Sequence, residues 1–505
     1  MNDRKAAALA GVLSVAAAIA AGHLAAGFLG GATSPPVAVG NWVVDLSPHW
    51  LTEFAKETFY LYDKLALGVG MAVVITVLAA VAGLVSRRTP TPGVVIILAF
   101  GALGVAAVFR QPEAGQLGVL APLVSVVVGV LVFRWLHRLA AERAEAGFDG
   151  LSRRRFLRGA AGVAAGAGVA GLAGQLVGAG ANAESSRAAV GPLVPARPAP
   201  PIPADADFAK LGTPTFLTRN QDFYKIDTAL VLPQVPAEDW QLRIHGLVER
   251  ELTFSYADIR NRPLVERPVT LCCVSNEVGG DLISTANFVG VELRDLLNEA
   301  GVRPEAEQLF STSADGWTCG TPVATLLEPD RGALLALGMN GEPLPIRNGF
   351  PARLVVPGLY GYVSATKWVT DLELTTWDAR RPYWLDRGWA QRAPVKTQSR
   401  IDSPRGFDRV PAGTVRVSGI AWAQHTGVDK VEVRVGTGPW QPATLSAEVS
   451  RDTWRMWWTE LRVPVGTHQI SCRATDRSGY TQTGERADTV PDGATGWHSV
   501  TVTAA

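Results

Sequence analysis

Five stretches among the first 181 residues are longer and more apolar than the inside of a small soluble domain requires, and they constrain the fold more than any other feature. They are Ala6–Leu29, Leu65–Val85, Gly93–Phe109, Leu117–Trp135 and Gly159–Val177. A helix crosses the hydrocarbon layer with about 20 apolar residues, so each stretch is expected to span a membrane. The third is short and the fifth is rich in Gly and Ala. Basic residues set the direction. Arg4 and Lys5, then Arg87 and Arg88, then Arg134, His137, Arg138 and Arg143 fall on alternate connections that would all be cytoplasmic. The loop at 110–116 carries only Arg110, and the loop at 30–64 only Lys56 and Lys64. The N-terminus is therefore expected inside, with residues 184–505 delivered outside by the fifth helix.

The fifth stretch carries a second signal. Ser152-Arg153-Arg154-Arg155-Phe156-Leu157-Arg158 stands before a weakly hydrophobic run that ends at Ala181-Asn182-Ala183. This matches the twin-arginine export signal, a receptor-read address for proteins that cross already folded. A plain positive-inside anchor would also carry arginines, but the Ser, Phe and Leu fit the signal as well. The helix is expected either to stay as an anchor or to be cleaved after Ala183, retention being the favoured outcome. The first four spans offer little chemistry. A haem-carrying bundle needs paired histidines at facing depths, and only His23 lies within a span while His137 sits at an end, so no haem is expected.

Beyond the membrane half, residues 184–206 carry Pro192, Pro195, Pro198, Pro200, Pro201 and Pro203 and read as an extended, semi-rigid spacer. Trp240–Gly246 alternates as a strand, Glu292–Ala300 has a helical apolar stripe stopped by Gly301, and Leu354–Val356 sits in a buried strand closed by Pro357-Gly358. From about residue 395 helical patterns vanish. Val415–Ile420, Lys430–Val435, Trp454–Leu461 and His468–Ala474 alternate between turns, the pattern of an immunoglobulin-like β-sandwich. The expected architecture is multi-domain: an all-α membrane bundle (1–150 plus a fifth helix at 151–183), the linker 184–206, an α+β domain at 207–394, and an all-β sandwich at 395–505.

The net charge of +1 gives no basic surplus that would suggest nucleic acid. Four cysteines, two of them adjacent, exclude a dense disulfide framework. In the run Val269-Thr270-Leu271-Cys272-Cys273-Val274-Ser275-Asn276 a period of two puts Val269, Leu271 and Cys273 on one face and Thr270 and Cys272 on the other. Only one cysteine can face a given pocket. A thiolate is a soft ligand suited to a high-valent metal held by other sulfurs, although an isolated buried cysteine more often behaves as a small apolar residue.

The surrounding motifs resemble the sulfite oxidase family of molybdopterin-dependent oxidoreductases. Leu271-Cys272-Cys273-Val274-Ser275-Asn276 is similar to the family's cysteine segment. Ile283-Ser284-Thr285-Ala286, Gly290–Leu297, Met339–Pro345, Asn348–Arg353, Val356-Pro357-Gly358 and Lys367-Trp368 follow in family order. The sandwich adds Trp458–Leu461, Arg473–Asp476 and Thr495–His498, so the likeness covers about residues 210–502. It implies that Cys273 ligates molybdenum and that Cys272 is an inert neighbour. It further implies that Asn220, Phe223, Tyr224, Thr312, Asn348, Arg353, Thr366 and Lys367 bind the pterin, with Arg353 and Lys367 neutralising its phosphate, and that Arg219 is the basic residue of the substrate pocket. The cofactor implied is molybdenum-molybdopterin in its mononucleotide-free form, and the sandwich is implied to dimerise.

Two departures bear on the substrate. The family's Tyr beside the metal is Leu337 here, and the arginine after the Asn is replaced around Glu277-Val278-Gly279. An oxyanion such as sulfite needs a basic pocket. The expected function is two-electron oxo transfer of sulfite oxidase type, outside the cell membrane in a multi-pass protein, on a small-molecule substrate. Electrons pass to an external cytochrome or quinone-linked partner, since no haem module is evident. The alternatives are a reductase of S-oxides or N-oxides and, in another class, a metal-free binding protein.

Overall fold

The computed structural model describes residues 3–505 apart from 49–50, 52–53, 55–57, 59–61, 112–115, 146–149 and 181–182. Contacts divide the chain into one unit of Met1–Asn182 with Thr228–Gln234, and another of Ala183–Asp227 with Val235–Ala505.

The first unit is helical: α1 (Asp3–Leu29), α2 (Pro35–Leu46), α3 (Asp63–Val85), α4 (Thr91–Phe109), α5 (Leu120–Glu145) and α6 (Gly150–Gly180). Five of them are long and apolar enough to cross a membrane, at Asp3–Leu29, Lys64–Val85, Thr91–Phe109, Leu117–Glu142 and Arg154–Val177. These are the five expected stretches. The 12-residue α2 is additional and too short to cross. Small residues let α1 and α3 meet closely: a Cβ on Gly11 would lie 2.1 Å from the Ala79 carbonyl, and one on Gly83 would lie 2.0 Å from that of Ala7. His23 Nδ1 is hydrogen-bonded to Ser34 Oγ at 3.2 Å, a structural use of that histidine. In the arginine-rich segment Arg154, Arg155 and Arg158 are exposed while Phe156 is buried beside Ala6 and Leu136. Ala181 and Asn182 lie outside the described residues.

The second unit opens with α7 (Ala183–Val190). Residues 184–206 differ from the free spacer expected of their prolines. Ala183, Val190 and Ala206 are buried in the core. The backbone donors between the prolines also find acceptors on the unit: Ala196 N and Arg197 N donate to Leu264 O at 2.8 and 3.1 Å, and Ala199 N to Glu266 Oε2 at 3.1 Å. Proline removed some donors; those that remained are satisfied by the folded unit.

Two sheets follow. One has the order β2 (Leu252–Ser255), β1 (Gln241–Gly246), β10 (Val369–Thr375), β5 (Gln308–Ser313), β6 (Thr318–Pro322), with only the β1–β10 pair parallel. The other has the order β3 (Val265–Cys272), β4 (Ile283–Glu292), β7 (Leu334–Met339), β8 (Glu342–Pro343), with β9 (Arg353–Val355) also on β7. A helix at Leu293–Ala300 buries Leu293, Leu296, Leu297 and Ala300, as its stripe predicts. From residue 398 two further sheets face each other. Their orders are β11 (Gln398–Ser403), β13 (Gly413–Trp422), β17 (Arg455–Val463), β16 (Thr444–Leu445), and β12 (Arg409–Val410), β19 (His498–Ala504), β18 (Gly466–Asp476), β14 (Val428–Val435), β15 (Gln441–Pro442). Between them lie Val417, Val431, Val433, Trp457, Leu461, Ile470 and Val502. The residues on either side of the expected boundary at 394/395 form one compact unit. The reason is packing: Ile420 and Trp422 at the end of β13, Met456 at the start of β17 and Trp454 just before it belong to the core of the preceding half.

The β4–β7 pairing is close enough to require glycine. A Cβ on Gly290 would lie 2.1 Å from Leu335 O and 2.6 Å from Ala336 Cα, both backbone. Gly290→Ala is expected to cost about 1–3 kcal/mol through overpacking, whereas Gly406→Ala, with nothing within 4 Å, should be near neutral. Thermal unfolding midpoints in detergent check the contrast.

Candidate molybdopterin site

β3 ends at Cys272, and the next residue leaves the sheet. Cys272 is 1% exposed and part of the apolar core; Cys273, at 8%, stands outside that cluster. The backbone after it turns back on itself: Asn276 N donates to Cys273 O at 3.1 Å and Cys273 N to Leu282 O at 2.9 Å. Asn276 Oδ1 accepts from Leu282 N at 2.8 Å. Burial pushes the Cys272 thiol well above its ordinary range, with Cys273 adding and Arg400 and Asn276 opposing.

Tyr224 lies with this pair. Its backbone N donates to Ser284 Oγ at 3.1 Å, and its ring stacks on Phe223 at 5.4 Å. Burial, then the charges of Cys273 and Cys272, push its phenol well up, while Arg353 opposes. Tyr360 is buried and raised well above its usual value by desolvation, with Cys272 adding. The backbone comes close as well: a Cβ on Gly361 would lie 3.7 Å from Tyr224 Oη and 3.9 Å from Cys272 O.

A basic cluster adjoins Tyr224. Arg353 is 5% exposed, and its guanidinium donates to the carbonyls of Asn348 at 3.1 Å and Leu354 at 3.4 Å. Among the described residues no carboxylate pairs with it, and desolvation pushes it down to about 10. Asn348 is 2% exposed with Oδ1 unpartnered, and Arg347 Nε is likewise buried without a partner. Lys367 reaches Asp227 Oδ2 at 3.0 Å and lies over Trp368 at 4.5 Å. Burial pushes its ammonium down to about 8, Asp227 opposing and Arg353 adding. The cluster is tight: a Cβ on Gly349 would lie 3.0 Å from Arg353 Cβ and 3.1 Å from Lys367 Cα. A buried cation without a counter-ion is costly, and orphaned buried polar atoms call for a partner. A pterin ending in phosphate supplies both, so these residues fit that group.

The structure brings Cys273, Tyr224, Arg353, Asn348 and Lys367 together and uses other predicted residues differently. Arg219, its side chain 73% exposed, pairs with Asp222 at 2.6 Å. Asn220 spends its amide within the chain, donating to Met339 O at 3.2 Å and Glu342 Oε1 at 2.5 Å and accepting from Asn340 at 2.8 Å. Phe223 is core. Thr366 Oγ1 is bonded to Ser311 Oγ at 2.7 Å, and the Thr312 carbonyl accepts from Thr370 at 3.4 Å. Sequence reasoning missed Arg347 and Tyr360 and gave Asn276, the last residue of the cysteine segment, no role; the position of Arg347 directly before the Asn348–Arg353 segment was the available signal. A separate group, Glu328, Asp330 and His425, is ion-paired with Arg331 and Arg451.

Comparison with known proteins identifies the domain that carries Cys273, Asn348, Arg353 and Lys367. Residues 229–384 match the oxidoreductase molybdopterin binding domain, which defines the class as molybdopterin-binding oxidoreductases. The chain is 30% identical to mitochondrial sulfite oxidase of Macaca fascicularis over 315 residues, covering 53% of this chain and 56% of that protein. It is 30% identical to sulfite oxidase of Gallus gallus over 322 residues, covering 54% and 69% respectively. The sulfane dehydrogenase SoxCD from Paracoccus pantotrophus aligns over 53% of this chain and 75% of its own, at 25% identity and a TM-score of 0.47. The chain belongs to the sulfite oxidase family, and spans little more than half the length of the mammalian relatives it matches.

Cys273→Ser is expected to abolish activity and alter the molybdenum spectrum, whereas Cys272→Ser, in the core, should lower stability without touching the spectrum. Equal spectral change in both variants would overturn the assignment.

The Lys367 pKa is depressed in the folded protein, so below about 8 its ammonium is charged. As pH rises from about 8 toward the unfolded value near 10.5, binding a phosphate must take up a proton. Cofactor retention is therefore expected to weaken across that window and to lose this dependence in Lys367→Met. Fluorescence of released pterin against pH measures it.

Proposed function

We propose that this chain is a membrane-anchored molybdenum enzyme that carries out two-electron oxo transfer on the extracytoplasmic side. The observation that carries the reading is Arg353, buried with no carboxylate partner among the described residues, beside Tyr224, whose phenol also feels the charge of the buried Cys273. The metal-free binding protein fits poorly, because nothing in that role would offset an unpaired buried guanidinium.

The bound cofactor supplies the two-electron redox chemistry; the protein orients it and selects the substrate. Cys273 would hold the metal as its thiolate. Arg353 and Lys367 would neutralise the phosphate end, and the Asn348 side chain would supply a neutral contact. The Tyr224 phenol, raised well above its ordinary pKa, stays protonated at neutral pH and keeps a hydrogen-bond donor beside Cys273. Asn220, Phe223, Thr312 and Thr366 would hold the walls of the site rather than reach into it.

Five apolar helices support membrane attachment, as do exposed apolar side chains such as Val69, Val73, Leu98, Leu131 and Leu176. The alternation of basic connections supports an outside location for residues 184–505, and the exposed Arg154 and Arg155 suit a receptor-read export signal. Electrons would leave to a separate cytochrome or quinone-linked partner, and the sandwich would mediate a homodimer.

Within this chemistry, reduction of a neutral S-oxide or N-oxide is favoured over sulfite oxidation by two placements. Arg219 is tied to Asp222 at the surface, and Leu337 is fully buried core. Losing one charge-assisted contact to a bound anion costs about 1.5–3 kcal/mol, roughly one to two decades in affinity. Molybdenum analysis with parallel assays tests both levels. We expect close to one molybdenum per chain, weak turnover of sulfite with an artificial acceptor, and faster reduction of dimethyl sulfoxide with an artificial donor. Absence of molybdenum would overturn the enzyme reading, and a micromolar KM for sulfite the substrate preference.

A further inference from the structure

The loop that leaves Cys273 is held by residues about 120 and 220 positions away, both from the C-terminal sandwich. Arg400, on β11, is 8% exposed. Its Nη1 donates to the Gly280 carbonyl at 2.6 Å, while Nε and Nη2 both reach Asp402 Oδ1 at 2.8 Å. Asp402 Oδ2 is buried with no partner. The second support is His498 on β19. A Cβ on Gly279, where φ is +84°, would lie 2.2 Å from His498 Cδ2, so the ring occupies the space a side chain would need. His498 Nδ1 accepts from Ile401 N at 2.9 Å, which fixes the ring to the strand that carries Arg400.

The loop can transmit these contacts to Cys273. Its ends are tied by Cys273 N to Leu282 O at 2.9 Å and by Leu282 N to Asn276 Oδ1 at 2.8 Å. Gly280 N also donates to Glu277 O at 2.9 Å. A loop closed in this way moves as one piece, and a shift at Gly280 is felt at the residue that begins it.

A buried ion pair is a poor source of stability, since well-packed apolar residues of like volume do as well or better. What Arg400 provides is geometry: a planar fork that grips a carboxylate along one edge and a carbonyl along the other. A lysine keeps the charge but has no fork. We propose that Arg400 is a positioning residue for the Cys273 loop, so that the sandwich, through Arg400 with His498 behind it, sets the width of the approach to Cys273. This rests on the reading of Cys273 as the metal-site residue.

The test uses the full-length, molybdenum-loaded protein in detergent, with Arg400→Lys and, as a second variant that leaves no buried charge, Arg400→Met with Asp402→Leu. Three quantities are read: molybdenum per chain, hydrogen exchange of the peptide covering 274–282, and KM and kcat for whichever of sulfite or dimethyl sulfoxide the parent turns over. In both variants we expect unchanged molybdenum, exchange in 274–282 faster by about tenfold or more, and KM raised by about tenfold with kcat within about threefold. Unchanged exchange and KM in either folded variant overturns the proposal, as does a loss of molybdenum and kcat with the loop still protected. The exchange result does not depend on what Cys273 binds. Retained activity in Cys273→Ser would instead remove the metal-site reading while leaving the loop contact standing.

Discussion

An edge strand must have its outer hydrogen-bonding groups satisfied, and the way β3 meets that requirement determines much of the second unit. β3 is last in its sheet, and at Thr270 its free side is covered by the sandwich rather than by water or another strand. Thr270 N donates to Asp452 O at 3.0 Å, its carbonyl accepts from Gln424 Nε2 at 3.2 Å, and its hydroxyl accepts from Trp454 N at 2.8 Å. Two residues on is Cys272, then Cys273. The same segment drives Trp454 into the core and bonds its Nε1 to Phe216 O at 3.1 Å. The strand that leads into Cys273 is therefore immobilised from both sides, and the sandwich cannot swing away without exposing it.

The second constraint is electrostatic. Arg353, Arg347 and Lys367 crowd one end of the site, with Asp227 the carboxylate that reaches Lys367. In the empty protein this arrangement opposes folding through desolvation; an anionic cofactor reverses the sign. Binding is then coupled to folding, because the ligand contributes only to the folded form. That coupling gives a physical reason for the proposed export route: a domain that needs its cofactor to fold well is better assembled in the cytoplasm and carried out whole.

Much of this was legible in the sequence where the signal is local. The apolar runs gave the five long helices, the stripe over Glu292–Ala300 gave its helix, and period-two alternation found the sandwich strands. Alternation placed Cys273 with Val269 and Leu271, and Cys272 with Thr270. Instead the strand ends at Cys272, which joins Val269 and Leu271 in the core, so the distinction between the two cysteines comes from the end of the strand and not from its period. What was not legible depends on partners far along the chain. Asn220 and Arg219 sit in a suggestive motif, but Glu342, Asn340 and Asp222 already occupy their polar groups. The proline-rich stretch reads as a spacer because its acceptors, Leu264 O and Glu266, are more than sixty residues away. Arg400 carries no local mark at all, since its meaning lies in Gly280.

The distribution of charge bears on what the site can accept. The buried cations Arg353 and Lys367, the latter already paired with Asp227, lie at the Asn348 end, where a phosphate would use them. Nearer the cysteines the cation acting on the Cys272 thiol is Arg400, and it is already spent on Asp402 and the Gly280 carbonyl. Tyr224 and Tyr360, both held protonated, add donors but no charge. In the proposed site an anionic substrate beside Cys273 would meet these two neutral phenols and the Arg400 guanidinium, whose charge Asp402 partly offsets. A neutral oxide surrenders far less hydration and can still accept a hydrogen bond from a phenol. On the proposed reading, the burial that would secure the cofactor also keeps the phenols beside Cys273 neutral, an arrangement suited to a neutral oxygen donor.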